Sequence, residues 1–227
     1  MTTQGDGLLR LAEVMDQLRS PGGCPWDAKQ THESLVQYLV EETFETVDAI
    51  DSGDRKDLLE ELGDVLLQVF FHARIAQEHP EEPFTIDDVA HGISNKLIRR
   101  HPHVFPDADG NLADAADVAM VEAKWQELKN AEKSRSSVTE GVPVSLPALT
   151  QINKLLQRTE NGGLVAPINP AAAELAKSIV DAEVSVGDVV IALVHEMRQR
   201  HIDADSHLRE SVKTFRQNII ESESSSN

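Results

Sequence analysis

The sequence contains a single cysteine, Cys24, among its 227 residues. One thiol cannot form a disulfide within the chain, which favours a reducing compartment, so we expect a cytoplasmic location. The sequence also lacks any run approaching the roughly 18 apolar residues of a membrane-spanning helix. Its start has no basic segment followed by an apolar run. No membrane partner is therefore expected.

Aromatic and basic residues are also scarce. Aromatic residues make up 4% of the chain, and 21 Lys and Arg stand against 39 Asp and Glu, for a formal net charge of −18. This charge would repel polyphosphate backbones, so no nucleic-acid partner is expected. Long runs of Leu, Ala, Glu, Asp and Val separated by short breaks favour helices over a sheet. We therefore predict an all-α fold, a helical bundle.

Apolar spacing and turn residues divide the chain into predicted helices. The first contains residues 8–18, and others are predicted at about 34–50, 56–77, 85–101, 115–133, 171–201 and 206–220, with a short piece at 146–158. The third is apolar on nearly every side, which predicts a central position in the bundle. The second carries apolar residues spaced as a buried stripe: Val36, Val40, Phe44, Val47 and Ile50.

Five carboxylates gather on the second and third predicted helices. Glu41, Glu42 and Glu45 fall within about one quadrant of the second helix at roughly 100° per residue. Glu61 and Asp64 are neighbours, three residues apart, on the third. Like charges at these spacings repel, so the arrangement needs a counter-charge. A hard divalent cation would supply it, and oxygen-only ligation favours Mg²⁺ or Mn²⁺ over zinc.

Two other interpretations of these acidic residues fit the sequence less well. A pair of Glu residues on a helix is commonly a solvated surface, but Asp64 lies within an apolar run, where an unpaired carboxylate is expensive to desolvate. A carboxylate di-iron bundle uses Glu-x-x-His on two helices, and this chain contains no Glu-x-x-His. A magnesium-type site is therefore the preferred interpretation.

Basic residues crowd the end of the fourth predicted helix: Lys96, Arg99, Arg100, His101 and His103. Lys and Arg one turn apart can contact neighbouring phosphate oxygens. The alternatives are charges that complement the helix dipole or that pair with the acidic helices. The two histidines have no third ligand nearby in sequence, so we assign them no metal. Beside a metal site, phosphate binding is the preferred interpretation.

Six short motifs follow one another along the chain: GCPWD (23–27), EETFE (41–45), ELGD (61–64), KLIRRHPHVF (96–105), WQELK (125–129) and GVPVSLPAL (141–149). Taken in order, they resemble the MazG family of nucleoside triphosphate pyrophosphohydrolases, within the all-α NTP pyrophosphatase superfamily. The resemblance is strong from about residue 8 to residue 149 and weak after that.

This resemblance implies metal-assisted hydrolysis of a nucleoside triphosphate to the monophosphate and pyrophosphate, by a homodimer of helical bundles. It implies Mg²⁺ as the cofactor, with Mn²⁺ as a substitute. Glu42, Glu45, Glu61 and Asp64 would be the metal ligands, and Glu41 would be a ligand or would orient the attacking water. The rival hypothesis is a catalytically silent acidic module that binds metal or a protein partner.

The resemblance also implies the residues that would bind the substrate. Lys96, Arg99 and Arg100 would hold the triphosphate, Trp125 would lie against the nucleotide, and Trp26 would help to shape the pocket. By residue type alone, both tryptophans are more often core residues. Base preference is not fixed by the sequence, so we expect broad specificity, and nucleotide-pool sanitation is one physiological role that fits.

A faint internal repeat relates LGDVLL (62–67) to VGDVVI (186–191). Ser185 stands in the second copy where Glu61 stands in the first, and Lys213 with Arg216 repeats the spacing of Lys96 with Arg99. We interpret the second copy as degenerate and inactive. The predicted domains are a catalytic one over 1–133, a linker with a short helix over 134–170, the degenerate repeat over 171–220 and a disordered tail over 221–227.

Overall fold

The structure is a computed structural model that describes residues 5–106, 109–114, 117–118, 120–121, 124–125, 128, 136–182 and 184–225. The chain divides into two compact units, residues 1–126 and 127–227. Its regular elements within the described ranges are helices, with no strand among them, which confirms the predicted all-α class. No helix in these ranges combines the length and the apolar character that crossing a membrane requires.

The elements of the first unit whose bounds lie within the described ranges are four α-helices and a short 3₁₀ helix, Asp27–Lys29. The α-helices are α1 (Asp6–Arg19), α2 (His32–Ser52), α3 (Arg55–Ala76) and α4 (Ile86–Arg100). The helix predicted at about 115–133 lies largely outside the described residues. The second unit contains α5 (Ala148–Asn161), α6 (Pro170–Val180), α7 (Val186–Gln199) and α8 (Ala204–Ser225).

Local capping chemistry sets the starts of α2, α3 and α4. At the start of α4, the Asp88 backbone N–H donates to Thr85 Oγ1 and the Thr85 N–H donates to the Asp88 carboxylate, which confirms the predicted capping box. Gly53, with φ of 72°, ends α2, and the Asp54 side chain caps α3. Because only residues 53 and 54 join α2 to α3, these helices form an antiparallel hairpin.

Helix α3 is the centre of the first unit. It packs against α1, α2 and α4, as its sequence predicts. The buried core comes from α1, α2 and α3, through Met15, Leu35, Phe70 and Phe71. The carboxylate-bearing segments of α2 and α3 are therefore held next to each other by the same core that builds the unit.

The predicted buried stripe of α2 is wrong for this chain. Its five residues are all exposed, from 45% to 58%: Val36, Val40, Phe44, Val47 and Ile50. Helix α2 instead buries Leu35 and Ala49. The stripe is apolar, but the buried residues of α2 lie on a different face, because periodicity identifies an apolar face without identifying what covers it.

A buried arginine holds the segment between α1 and α2. The Arg19 side chain is 4% exposed and forms a two-pronged ion pair with Glu78, at 2.8 and 3.1 Å. Its remaining nitrogen donates to the carbonyl oxygens of Asp27 and Gln30, at 2.6 and 3.1 Å. Arg74 pairs with both Glu78 and Asp16. This network therefore fixes the chain on both sides of the 3₁₀ helix.

The second unit is built around α5 and α8. Its buried core comes from α5, α8 and the segment before α5, through Val142, Ala148, Leu155, Val212 and Ile219. Helix α5 is thus part of a packed unit, although it lies within the segment predicted as a linker. The predicted domain boundaries at 133 and 170 remain predictions.

Two helix predictions in the second unit need correction. The helix predicted over 171–201 is two helices, α6 and α7, because the Ser185 hydroxyl accepts the Asp188 N–H at 3.3 Å and caps a new helix. Helix α8 continues to Ser225, five residues past its predicted end at Ile220. Polar composition predicts disorder from residue 221, but a helix anchored by the buried Ile219 extends through polar residues.

Candidate active site

Three predicted site residues converge on one point of the α2–α3 hairpin. Glu42 and Glu45 lie about one turn apart on α2, and Glu61 lies opposite them on α3. One carboxylate oxygen from each lies within 4.8 Å of the other two. In the described part of the chain, this is the one group of three or more His, Cys, Asp or Glu side chains arranged so closely.

The electrostatics of this cluster favour a bound positive charge. Partial desolvation raises the pKa of Glu42, and the charge of Asp64, a hydrogen bond with Glu45 and the charges of Glu45 and Glu61 raise it further. Partial desolvation likewise raises the pKa of Glu61, followed by the charges of Glu45 and Asp64. All of these effects disfavour ionised carboxylates, so the cluster is repulsive without a counter-ion.

Asp64 and Glu41 are placed differently from these three residues. Asp64 is half-buried, and its charge acts on both Glu42 and Glu61, so it lies beside the cluster. Glu41 is exposed and lies outside the three-carboxylate group. The donor set consists of carboxylate oxygens, which fits a hard cation such as Mg²⁺ or Mn²⁺. The individual role of each carboxylate remains a prediction.

The basic residues at the end of α4 have different environments. Arg100 is buried at 7% exposure, with its guanidinium carbon 5.2 Å from the centre of the Trp125 ring. The His101 ring meets the same indole edge-on at 4.9 Å. Lys96 is half-buried and Arg99 is exposed. The structure therefore joins Arg100 and Trp125, two residues that the sequence suggested separately, and adds His101 to them.

Trp26 lies beside α2, where it meets Tyr38 edge-to-face with ring centres 5.9 Å apart. Half of the Trp26 surface is exposed, so it is not a core residue. Tyr38 precedes Glu42 by one helical turn, which places this aromatic pair near the carboxylates. Sequence reasoning did not identify Tyr38, although its i,i+4 spacing from Glu42 was an available signal.

The fold and the site together define an all-helical protein whose antiparallel hairpin presents a carboxylate cluster suited to a divalent cation. Residues 30–105, which include all five carboxylates, match the family model described as the MazG nucleotide pyrophosphohydrolase domain. The chain is 38% identical over 218 residues to the nucleoside triphosphate pyrophosphohydrolase/pyrophosphatase MazG of Thermotoga maritima, covering 90% of this chain and 81% of that protein. The chain belongs to the MazG family.

This chain matches only part of the length of two further relatives. The nucleoside triphosphate pyrophosphohydrolase of Mycobacterium tuberculosis is 41% identical over 197 residues, which cover 86% of this chain and 58% of that protein. An uncharacterized 26.1 kDa protein of Streptomyces cacaoi is 55% identical over 161 residues, which cover 70% of this chain and 64% of that protein. The chain thus spans less than two thirds of either relative.

Proposed function

We propose that this chain is a nucleoside triphosphate pyrophosphohydrolase, which converts a nucleoside triphosphate to the monophosphate and pyrophosphate. The observation that carries this proposal is the convergence of Glu42, Glu45 and Glu61 within the segment that matches the MazG domain. The names of the Thermotoga maritima and Mycobacterium tuberculosis relatives, which state this activity for those proteins, support it.

The proposed cofactor is Mg²⁺, for which Mn²⁺ can substitute. Glu42, Glu45, Glu61 and Asp64 would hold it, since their mutual repulsion is relieved by a divalent cation. When bound, the cation would neutralise phosphate charge and polarise the α-phosphate. The carboxylates are thus proposed as ligands rather than as groups that attack the substrate.

The protein's own residues would position the water and the triphosphate. Glu41, exposed beside the cluster, would orient a water for attack at the α-phosphorus, which breaks the bond to the β-phosphate oxygen. Lys96 and Arg99 would stabilise the charge of the departing pyrophosphate. Arg100, which packs on Trp125, would also stabilise the charge of the pyrophosphate. The Trp125 ring would lie against the nucleoside.

The proposal is tested by measuring pyrophosphate release from a panel of normal and oxidised triphosphates with the full chain and Mg²⁺. We expect pyrophosphate release that stops when the metal is chelated. Glu61→Gln should prevent this release while the fold is retained.

We propose broad base specificity and a role in nucleotide-pool sanitation, which predict activity on several bases and efficient hydrolysis of oxidised nucleotides. Metal binding without any turnover would instead support the silent acidic module.

We also propose that the chain forms a homodimer through the exposed apolar residues of the α2–α3 hairpin. Exposed large apolar side chains follow one side of α2 and continue on α3, where Leu59 and Leu62 are 75% and 52% exposed. Many exposed large apolar side chains on one helix pair mark an interface in water-soluble proteins. Light scattering after size exclusion should give twice the chain mass of 25.0 kDa, and Phe44→Asp should reduce it to one chain.

A further inference from the structure

Two histidines meet at the end of the α2–α3 hairpin that lies farthest from its turn. His32 is the first residue of α2, and His72 lies near the end of α3. Their Nδ1 atoms are 2.8 Å apart, and their rings are parallel within 3° with centres 5.1 Å apart. His72 follows Glu61 by eleven residues, about 16 Å along the helix, so this pair is separate from the carboxylate cluster.

Two buried polar atoms beside this pair have no hydrogen-bond partner in the described part of the chain. They are Nε2 of His72 and Oε1 of Gln68. Gln68 is only 5% exposed, and it lies four residues before His72, on the same face of α3. The Gln68 oxygen can only accept a hydrogen bond, and the His72 nitrogen can donate one when it carries a proton.

The protonation state of His72 decides which of these contacts can form. Either ring can donate across this contact. With both imidazoles neutral and the His72 Nδ1–H donating to Nδ1 of His32, His72 Nε2 carries no proton and the two helices are joined. When both rings are protonated, two N–H groups and two positive charges meet at this contact, and its hydrogen bond is lost. Protonated His72 then also presents an Nε2–H donor to the side of α3 that carries the Gln68 acceptor.

We propose that His32 and His72 form a pH-dependent latch between α2 and α3. The latch is closed while His72 is neutral and opens in acid, when His72 exchanges its contact with His32 for a hydrogen bond to Gln68. The opened latch removes a cross-helix contact from the first turn of α2, which keeps the Thr31–Ser34 capping box and the buried Leu35. The carboxylates occupy the other part of the same hairpin.

The direction of the pKa shift agrees with this geometry. Burial lowers the pKa of His72 below its ordinary value, and the charge of His32 lowers it further. A histidine whose folded pKa is lowered binds fewer protons than in the unfolded chain. Its contribution to stability is therefore present above the unfolded value of about 6.5 and is lost as pH falls through the folded value.

Each helix packed against α3 carries titratable or charged groups, which differ in their partners. On α1, Asp16 pairs with Arg74, and Arg19 pairs with Glu78, at the end of α3. On α2, Glu33 follows His32 directly. Hydrogen bonds to its own backbone N–H and to Thr31 lower the pKa of Glu33, and the charge of His32 lowers it further. On α4, the titratable groups nearest the helix start are Asp87, Asp88 and His91, and Asp88 is hydrogen-bonded to Thr85. His32 is the charge that acts on His72.

The latch is tested in the full chain by NMR titration of the histidine ring protons, without added metal. His32→Asn keeps a hydrogen-bonding group near the Nδ1 position but removes the charge, so the His72 pKa should rise. Gln68→Met removes the acceptor with little change in volume, so the His72 pKa should fall. His91→Asn, on α4, is the matched control and should leave the His72 pKa unchanged.

Hydrogen exchange at the start of α2 provides the second readout. Between pH 7.5 and 5.5, exchange corrected for its intrinsic pH dependence should accelerate in the wild-type chain and much less in His32→Asn, because one of the two charges is gone. Each unit by which the folded pKa lies below the unfolded one corresponds to about a tenfold change in the opening equilibrium. The latch is excluded if both variants shift the His72 pKa in the same direction or if exchange is the same in wild type and His32→Asn.

Discussion

The two units contain nearly the same Gly-Asp segment in different surroundings. In α3, Gly63 and Asp64 lie in the middle of a long helix, and Glu61 before them faces Glu42 and Glu45 of α2. In α7, Ser185 takes the place of Glu61, and it caps the helix by accepting the Asp188 N–H. The Gly-Asp segment of α3 thus lies beside a group of three carboxylates because α2 brings two of them to it.

The basic pairs of the two units differ in the same way. Arg216 of the second unit donates to the carbonyl oxygens of Thr139 and Val142, at 2.9 and 3.2 Å, and Lys213 pairs with Glu210. Arg216 therefore holds the segment before α5, whereas Lys213 pairs within α8. Lys96 and Arg99 have the same spacing in α4, beside a helix that carries the carboxylate cluster. The Lys-Arg pair of the second unit thus includes an arginine that supports the backbone. Phosphate binding is proposed for the equally spaced pair of the first unit.

Substituting Glu61 by the residue of the second unit should have the largest effect. Glu61→Ser, like Glu45→Ala, removes a carboxylate from the cluster, and we expect pyrophosphate release to fall by at least about 100-fold. The free energy of unfolding without metal should stay the same or rise, because repulsion is relieved. Steady-state kinetics and urea unfolding measure both. Near-normal turnover by either variant in Mg²⁺ would show that the ligand assignment is wrong.

The basic residues of α4 should separate substrate binding from metal binding. Lys96→Ala and Arg99→Ala each remove a proposed charge-assisted hydrogen bond to phosphate, so kcat/KM should fall about tenfold or more. Mg²⁺ affinity, measured by calorimetry without nucleotide, should be unchanged. Arg216→Ala is the matched change in the second unit and should affect stability rather than kinetics. Unchanged kinetics in both α4 variants would mean that Lys96 and Arg99 act only as charges that complement the dipole at the helix end.

The ion pair between Arg19 and Glu78 predicts acid sensitivity in the first unit. The hydrogen bond and charge of Arg19, with the charge of Arg74, hold the pKa of Glu78 below its ordinary value of 4.5. This contribution to stability is present above pH 4.5 and is lost as pH falls through the lower, folded pKa. Glu78→Gln should therefore lose less stability than wild type between pH 6 and pH 3, as measured by urea unfolding at each pH.

Arg19→Met should destabilise the first unit by about 2 kcal/mol, less than a fully buried pair would cost, because Glu78 is about half exposed. Arg10→Met on the same helix, at an exposed position, is the control and should change stability by less than about 0.5 kcal/mol. Equal acid sensitivity of wild type and Glu78→Gln would contradict this account of the ion pair.

The smallest effect is expected at the second Gly-Asp segment. Asp188→Ala removes an exposed carboxylate from the first turn of α7, where its side chain contributes at most about 1 kcal/mol through the helix dipole. Kinetics should match wild type within error, and thermal unfolding should change slightly. Loss of activity in a folded Asp188→Ala protein would mean that the second unit contributes to catalysis, and the interpretation of it as degenerate would have to be abandoned.

Prediction from sequence succeeded where the deciding interactions are local. The capping box of Thr85 and Asp88 joins residues three apart, and the helix breakers Gly53 and Asp54 act on their immediate neighbours. Glu42 and Glu45 were predicted to share a face because a helix fixes their angular separation. Their convergence with Glu61 also followed from sequence, since a two-residue turn leaves the hairpin little freedom.

The sequence alone determined the all-helical class, the grouping of the acidic residues and the basic end of α4, because helical periodicity and capping depend on residues within about one turn. Only the tertiary structure decided which face of α2 is covered, where Arg100 meets Trp125, and that His32 meets His72 forty residues later. These contacts depend on how helices pack across long sequence separations. A one-dimensional pattern shows which faces are apolar or charged, but packing free energy summed over the whole unit selects their partners.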